Sequence, residues 1–339
     1  MICLLAFVVS MQVPAVAQWE LQESQISAGL RGIHAVDDSV AWASGTEGTV
    51  LRTLDGGAHW QKCTTPPQGE KLDFRAVWAW SAQEAMVMSA GPGELSRVYK
   101  TSDGCAHWTE ERRNEEKDGF WDGMVFAGRG GENAAGVLIG DPVGGRFHTE
   151  LREGGKWVPD PSSCEAKDGE AAFAASNSSV VVFGERRYVI GTGGKAGARI
   201  LFSPKLTHKD EAKGCMAVSV LLAGGSESAG IFSLAFRDRK HGVAVGGDYK
   251  KPSEGAGTAA WTGDGGLHWT AAAKPPHGYR SSVAWNASAK AWIAAGTNGS
   301  DISYDDGKTW KAIDDGNWNA ISLPYVVGPG GRIGKIKKK

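Results

Sequence analysis

The chain has 339 residues and a formal net charge of −1, with 37 Lys and Arg against 38 Asp and Glu. That balance supplies no basic field and excludes nucleic acid as an expected partner. Its 48 glycines follow no collagen-like period and gather at turns, and no linker divides the chain, so a single repeat-built domain is expected.

Met1 to Val13 is apolar, and Ala15-Val-Ala17 is a small-x-small cleavage site before Gln18. Residues 1–17 therefore read as an export signal cleaved after Ala17, leaving 18–339 as the mature domain. The apolar stretch is too short for a membrane span, and Cys3 lies inside it rather than in a lipobox. The expected location is periplasmic or extracellular.

Gln18-Trp-Glu-Leu-Gln22 follows as an isolated strand. Beyond it, one octapeptide recurs: Thr53-Leu-Asp-Gly-Gly-Ala-His-Trp60, Thr101-Ser-Asp-Gly-Cys-Ala-His-Trp108, Thr262-Gly-Asp-Gly-Gly-Leu-His-Trp269 and Ser303-Tyr-Asp-Asp-Gly-Lys-Thr-Trp310. Asp-Gly between apolar strands marks a hairpin turn, because Gly supplies positive φ and Asp bonds its own downstream amides. The Trp covers the hairpin while its N–H seeks a carbonyl. Asp55, Asp103, Asp264 and Asp305 are thus read as turn-holding residues, not as acids or calcium ligands. A decayed copy, Glu153-Gly-Gly-Lys-Trp157, stands in the third module, and the fourth has none.

A second rhythm is an apolar run ending in Gly45, Gly91, Gly140, Gly191, Gly246, Gly296 and Gly328. The interval is about 50 residues, shorter at the end, and near the period of WD40 and kelch repeats with four short strands per unit. The expectation is an all-β, seven-bladed β-propeller, with six or eight blades as alternatives. The last module, Trp318 to Ile336, has three strands and lacks its Trp-bearing outer one. Pairing Trp19 to Gln22 with that blade would close the ring and remove two open sheet edges. A closed ring of this kind is expected to be a monomer. The polar stretches Glu110–Lys117 and Lys205–Lys213 read as loops.

Export leaves Cys63, Cys105, Cys164 and Cys215, whose even number permits disulfides in three connectivities. Cys164 with Cys215 is the preferred pair, since it would tie down the irregular fourth module. No Cys-x-x-Cys or His-x-x-x-His spacing supports zinc, and Gly191-Thr-Gly-Gly-Lys-Ala-Gly197 lacks the ending of a phosphate loop. No metal or cofactor is expected.

In a propeller the loops entering the innermost strands form one channel mouth. Aligning the modules places Arg31, Arg75, Asp122, Ala171, Phe232, Ser281 and Asn319 at one equivalent position there, with Arg280 adjacent. Converging arginines can hold a carboxylate or phosphate, or can pair with Asp122 and its neighbours as ring glue. The loops after the module glycines add Asp141 and Arg146, then Asp248 and Lys250, as ligand-binding candidates or as salt links between blades.

The octapeptides resemble the Asp-box, or bacterial neuraminidase repeat, and the fourth copy matches its consensus fully. The modules as a whole resemble the Ycf48-like group of Asp-box propellers, through Val40-Ala-Trp-Ala-Ser-Gly45 with its following turn, His241-Gly-Val-Ala-Val-Gly246 and Gly328-Pro-Gly-Gly-Arg-Ile-Gly334. The resemblance implies a non-catalytic binding or assembly propeller, whose partner is a protein or an acidic small molecule or glycan. The alternative is a sialidase-like glycoside hydrolase, with Asp122 and Glu170 as carboxylates and Tyr279 nearby. Here the sialidase Arg-Ile-Pro motif reads Leu30-Arg-Gly-Ile33, without Pro. The binding propeller is the preferred reading.

Overall fold

The computed structural model describes residues 19–128, 131–183, 187–204 and 214–337. The expected export signal and the 205–213 loop lie outside these residues. Short antiparallel strands assemble into the seven blades of a β-propeller, six of them four-stranded sheets and the fifth extended to six strands by Gly193–Gly194 and Glu170–Ala171 at its inner edge. Blade 1 runs outward from Leu30–Ala35 through Ala41–Gly45 and Val50–Thr53 to Gln61–Lys62. The innermost strands of the next five blades are Phe74–Ala79, Trp121–Phe126, Val180–Phe183, Ala229–Phe236 and Ser282–Asn286, and that of blade 7 is Ala320–Ser322.

Ring closure follows the sequence expectation. Trp19–Gln22 is the outer strand of blade 7 and pairs antiparallel with Ile333–Ile336, in the register Trp19 to Ile336 and Gln22 to Ile333. Trp19 Nε1 donates to Ser300 Oγ of blade 6 at 2.9 Å, and the Trp19 ring lies 6.2 Å from that of Trp318. A strand that would otherwise leave an exposed edge is thereby paired.

The hydrophobic core is divided among the blade interfaces, because each blade buries both of its faces. Trp42 and Val50 pack on Phe74 and Val87 between blades 1 and 2, and Trp292 and Trp310 pack on Val243 and Val245 between blades 6 and 5. The circuit closes where Leu30, Leu51 and Trp60 meet Tyr325, Val327 and Ile333. The recurrent glycine has a steric cause in five blades. A Cβ on Gly45, Gly140, Gly246, Gly296 or Gly328 would collide with the backbone carbonyl of Gly29, Phe120, Gly230, Tyr279 or Asn317, where the chain enters that blade's innermost strand.

The four Asp turns are built alike. Thr53 Oγ1 accepts from Gly57 N at 2.8 Å, and Asp55 Oδ1 accepts from His59 N at 2.9 Å. Asp103, Asp264 and Asp305 accept the equivalent amide from His107, His268 and Thr309. The Trp N–H reaches a backbone carbonyl in three copies, whereas Trp60 donates to Gln22 Oε1 of the closing strand. In the second copy Cys105 takes φ 68°, where Gly57, Gly266 and Gly307 stand in the others.

Cys105 is bonded to Cys63, and Cys164 is bonded to Cys215 as preferred from the sequence. The first bridge joins the outer parts of blades 1 and 2. The second joins the segment after blade 3 to the outer strand of blade 4.

Two expectations change. The polar stretch from Glu110 is not all loop, since Thr109–Arg113 is the outer strand of blade 2. Charged side chains suit an edge strand, and Arg113 pairs with Glu110 while Arg112 pairs with Glu150 of blade 3. Ala171 does not begin an innermost strand. It lies in Glu170–Ala171, which pairs with Gly193–Gly194, and blade 4 starts only at Val180.

Candidate functional site

The shared position inferred for Arg31, Arg75, Asp122 and Phe232 has a backbone origin. The register of the innermost strand slips between Leu30 and Gly32, between Phe74 and Ala76, between Trp121 and Gly123, and between Ile231 and Ser233. Each slip leaves one of those four residues on a β-bulge, a device that re-aims a side chain at a sheet edge. Ser281 and Asn319 precede the strands of blades 6 and 7 and stitch the ring. Ser281 Oγ donates to Asn319 O at 2.7 Å, and Asn319 Nδ2 donates to Leu30 O at 2.7 Å.

Inside this ring of bulges the chain crosses its own channel. Residues 172–179 leave the Glu170–Ala171 strand and bond the innermost parts of four blades before blade 4 begins. Ala172 N donates to Asp141 Oδ1 at 3.1 Å, and Asn177 exchanges two bonds with the Met124 backbone, both in blade 3. Ala174 O accepts from Arg75 Nη1 of blade 2 at 3.3 Å. Ser176 Oγ donates to Ser281 O of blade 6, and Ser178 O accepts from Leu234 N of blade 5. A buried irregular segment must satisfy its backbone polar groups, and here side chains of the surrounding blades do so. This plug segment thus ties blades 2, 3, 5 and 6 together across the channel.

An aromatic cluster lies beside that segment. Phe173 of the plug stacks on Phe232 with ring centroids 4.0 Å apart, and Tyr279 meets Phe232 edge-on at 4.8 Å. Tyr249 completes the group at 6.1 Å from Phe232 and is 48% exposed, so it presents a ring to solvent. Burial pushes the Tyr279 hydroxyl pKa far up, which keeps it neutral.

The charges at the mouth are unevenly partnered. Arg75 Nε binds Asp73 Oδ2 at 2.8 Å, so its ion pair is with Asp73 and not with Asp122. Arg31 makes no hydrogen bond or ion pair among the described residues, although burial lowers its pKa and both Asp73 and Arg75 act on it through space. Asp122 is buried, accepts from the Ala174 backbone and leaves Oδ2 without a partner. Burial first, and then the charge of Asp141, hold the Asp122 carboxyl well above the usual carboxylate range. Burial likewise raises Asp141 to about 6.

The other candidates lie apart from this cluster in role or place. Arg280 is fully buried and points away from the mouth: its Nε donates to Asp301 Oδ2 at 2.7 Å and its Nη1 to Asn298 Oδ1 at 2.6 Å. It precedes the equivalent of the bulge position, so its side chain faces the blade packing. Glu170 is committed to Arg199 and Thr192. Burial alone would raise its carboxyl, but the Arg199 guanidinium brings it below the ordinary range. Arg146 joins Glu165 and Ser163 at the tip of a blade 3 hairpin. Asp248 accepts from Lys250 N at 3.0 Å and shapes the loop that carries Tyr249, while the Lys250 side chain is exposed.

The sequence reading passed over Asp73, Phe173 and Tyr249. Tyr249 sits inside the Gly246 to Lys251 loop that was singled out for its charges, and Phe232 was already aligned with Arg31. An aromatic at a position where other modules carry charge was the available signal. Among the described residues, no cluster of three or more His, Cys, Asp or Glu could hold a metal ion, and no helix is long and apolar enough to cross a membrane.

No protein-family model and no curated protein matches the sequence. In structure, the chain is similar to YCF48 bound to D1 peptide, at 14% identity and a TM-score of 0.65 over 95% of this chain and 97% of that one. It is similar to the WD40 β-propeller domain of Doa1 at 13% identity and a TM-score of 0.61, over 95% and 98% of the two chains. For U3-55K the values are 12% and 0.60 over 96% and 99%. At these identities the likeness is one of fold, and over 95% of its length the chain shares the propeller architecture of YCF48.

Proposed function

We propose that this chain is an exported, non-catalytic propeller that holds a protein partner by a carboxylate-bearing segment at the channel mouth. One observation carries the reading: Arg31 is a largely desolvated guanidinium with no hydrogen-bond or ion-pair partner among the described residues. Such a charge gains most from an incoming anion, because a carboxylate can meet it with two parallel charge-assisted hydrogen bonds. Arg75 adds positive field from the next blade, and Tyr249 offers a flat ring for the apolar part of the ligand. A solved structure of the same fold is titled as YCF48 bound to D1 peptide, which supports a peptide as the kind of ligand. Two disulfides support export, since such bonds persist in oxidising compartments.

The hydrolase alternative draws less support. A glycosidase needs two carboxyls facing a cleft, and Glu170 is held by Arg199 while Asp122 lies under the plug. A peptide array presenting free and amidated C-termini tests the proposal. Binding should favour free carboxylates, and Arg31→Ala should weaken it by about 10- to 100-fold, the range of a lost hydrogen bond to a charged group. Equal binding by the variant would refute the reading. Glycoside hydrolysis lost on Asp122→Asn would install the hydrolase instead.

A further inference from the structure

The acid pair beneath the plug has no role in holding a carboxylate, yet it sits beside the guanidinium that would help to do so. Asp122 and Arg75 occupy equivalent bulges on neighbouring blades, and Asp122 keeps one oxygen buried and unpartnered. Plug residues 172–174 are shared between them. Asp141 and Asp122 accept the amides of Ala172 and Ala174, and the Ala174 carbonyl accepts from Arg75. We propose that the mouth takes up its anion together with a proton: the Asp122–Asp141 pair competes with the ligand for Arg75, and protonation of the pair leaves that guanidinium to the ligand. This inference rests on the reading of the mouth as a carboxylate site.

The charged and titratable groups around the pair and Arg75 define the competition. Asp73 pairs with Arg75 from its own blade, Arg31 faces both from blade 1, and Tyr279 faces Arg31 from blade 6. The plug itself, 172–179, contains no titratable side chain. With both carboxyls of the pair protonated, the anionic load on Arg75 is Asp73 alone. Loss of the first proton adds a buried negative charge in a poorly solvated place, where Coulomb interactions are strong. Arg75 is then drawn toward Asp122, and an outside anion meets a less positive mouth. The raised carboxyl of Asp141, about 6, places this exchange near neutral pH.

Benzoate is a suitable probe, being a carboxylate with an aromatic ring and ionised throughout the range of interest. Calorimetric titration from pH 5.5 to 7.5, in two buffers of different ionisation enthalpy, measures affinity and proton uptake together. Wild type should lose about tenfold in affinity across this range and take up a fraction of a proton approaching one, as linkage of one group requires. Asp141→Asn, which removes the group that titrates near 6, should bind benzoate with a flat pH profile and no proton uptake; if that variant fails to fold, the proton uptake of wild type decides alone. Arg31→Gln should lose binding at every pH. Benzoate binding that Arg31→Gln abolishes, but that shows no pH dependence and no proton uptake in wild type, overturns the proton linkage and leaves the carboxylate site standing. Absence of benzoate binding to wild type at both ends of the range overturns the two together.

Discussion

Blades 1, 2, 5 and 6 carry an intact Asp turn, and their polar residues serve the turn and its Trp. Blades 3 and 4 lack that turn, though blade 3 keeps Trp157, and it is between them that the chain leaves the repeat, crosses the channel at 172–179 and only then begins blade 4. Among the described residues, blades 5 and 6 satisfy the polar side chains they bury, as Arg280 with Asp301 shows. The irregular pair leaves Asp122 Oδ2 unpartnered beside Asp141. Repetition thus accounts for stability, and departure from it accounts for the chemistry at the mouth. The largest test of that division compares two arginines two blades apart. Arg280→Ala would strand Asp301 in a buried site and should cost about 3–5 kcal/mol of unfolding free energy. Arg31→Ala removes a guanidinium that has no partner among the described residues and should stay within about 0.5 kcal/mol. Urea unfolding of both variants decides it, and similar losses would mean that Arg31 is structural after all.

A smaller effect, opposite in sign, should mark the acid pair. The folded Asp141 carboxyl titrates near 6, raised by burial, whereas an unfolded aspartate titrates near 4. Between these values the folded chain holds a proton that the unfolded chain has released. Stability from this group is therefore greatest below the unfolded pKa and declines as pH rises toward and through about 6. The decline amounts to at most about 3 kcal/mol, at 1.36 kcal/mol per pKa unit. Asp141→Asn keeps an oxygen for the Ala172 amide and removes the titration. It should be more stable than wild type at pH 7.5, and the advantage should vanish near pH 4. Thermal melts across that range provide the measurement, and a variant less stable than wild type at pH 7.5 would exclude a strained acid pair.

The same contrast explains what could be read from the sequence. The recurrent glycines mark blades because five of the seven blades bring a backbone carbonyl against the same point, as at Gly45 and Gly246. The Asp-Gly turns and the orphan Trp19 strand are local patterns whose partners are dictated by ring closure. The bulge position emerged because alignment of repeats carries geometry, so Arg31, Arg75, Asp122 and Phe232 fell together. Ala171 failed at the one module whose insertion precedes its innermost strand, where alignment has nothing to count. The plug was hidden for the same reason: Ala172 to Ser179 is a small-residue stretch whose partners lie on four other blades. Arg280 was one residue out of register, and a single position on a strand decides whether a side chain meets solvent or the neighbouring blade.

The smallest test isolates the turn itself. In blade 6, Asp305 Oδ1 accepts from Thr309 N at 2.9 Å and from Ser303 Oγ at 2.8 Å, and Oδ2 accepts from Thr309 Oγ1 at 2.6 Å. In blade 3 the corresponding hairpin turns on Gly154 and Gly155, whose φ values of 54° and 81° need no side-chain acceptor. Asp305→Ala should therefore cost about 1 kcal/mol, the net worth of a partly exposed hydrogen-bonded group. Glu153→Ala, at the start of the glycine turn, should fall within about 0.5 kcal/mol of wild type. Because Asp305 lies in the turn between the third and fourth strands of its blade and Glu153 ends the third strand of its own, the pair nearly matches position in the blade, and chemical denaturation resolves the difference. Equal losses would mean that the Asp turn contributes no more than an ordinary hairpin. Its fourfold recurrence would then need another cause than the fixing of Trp60, Trp108, Trp269 and Trp310 against their blades.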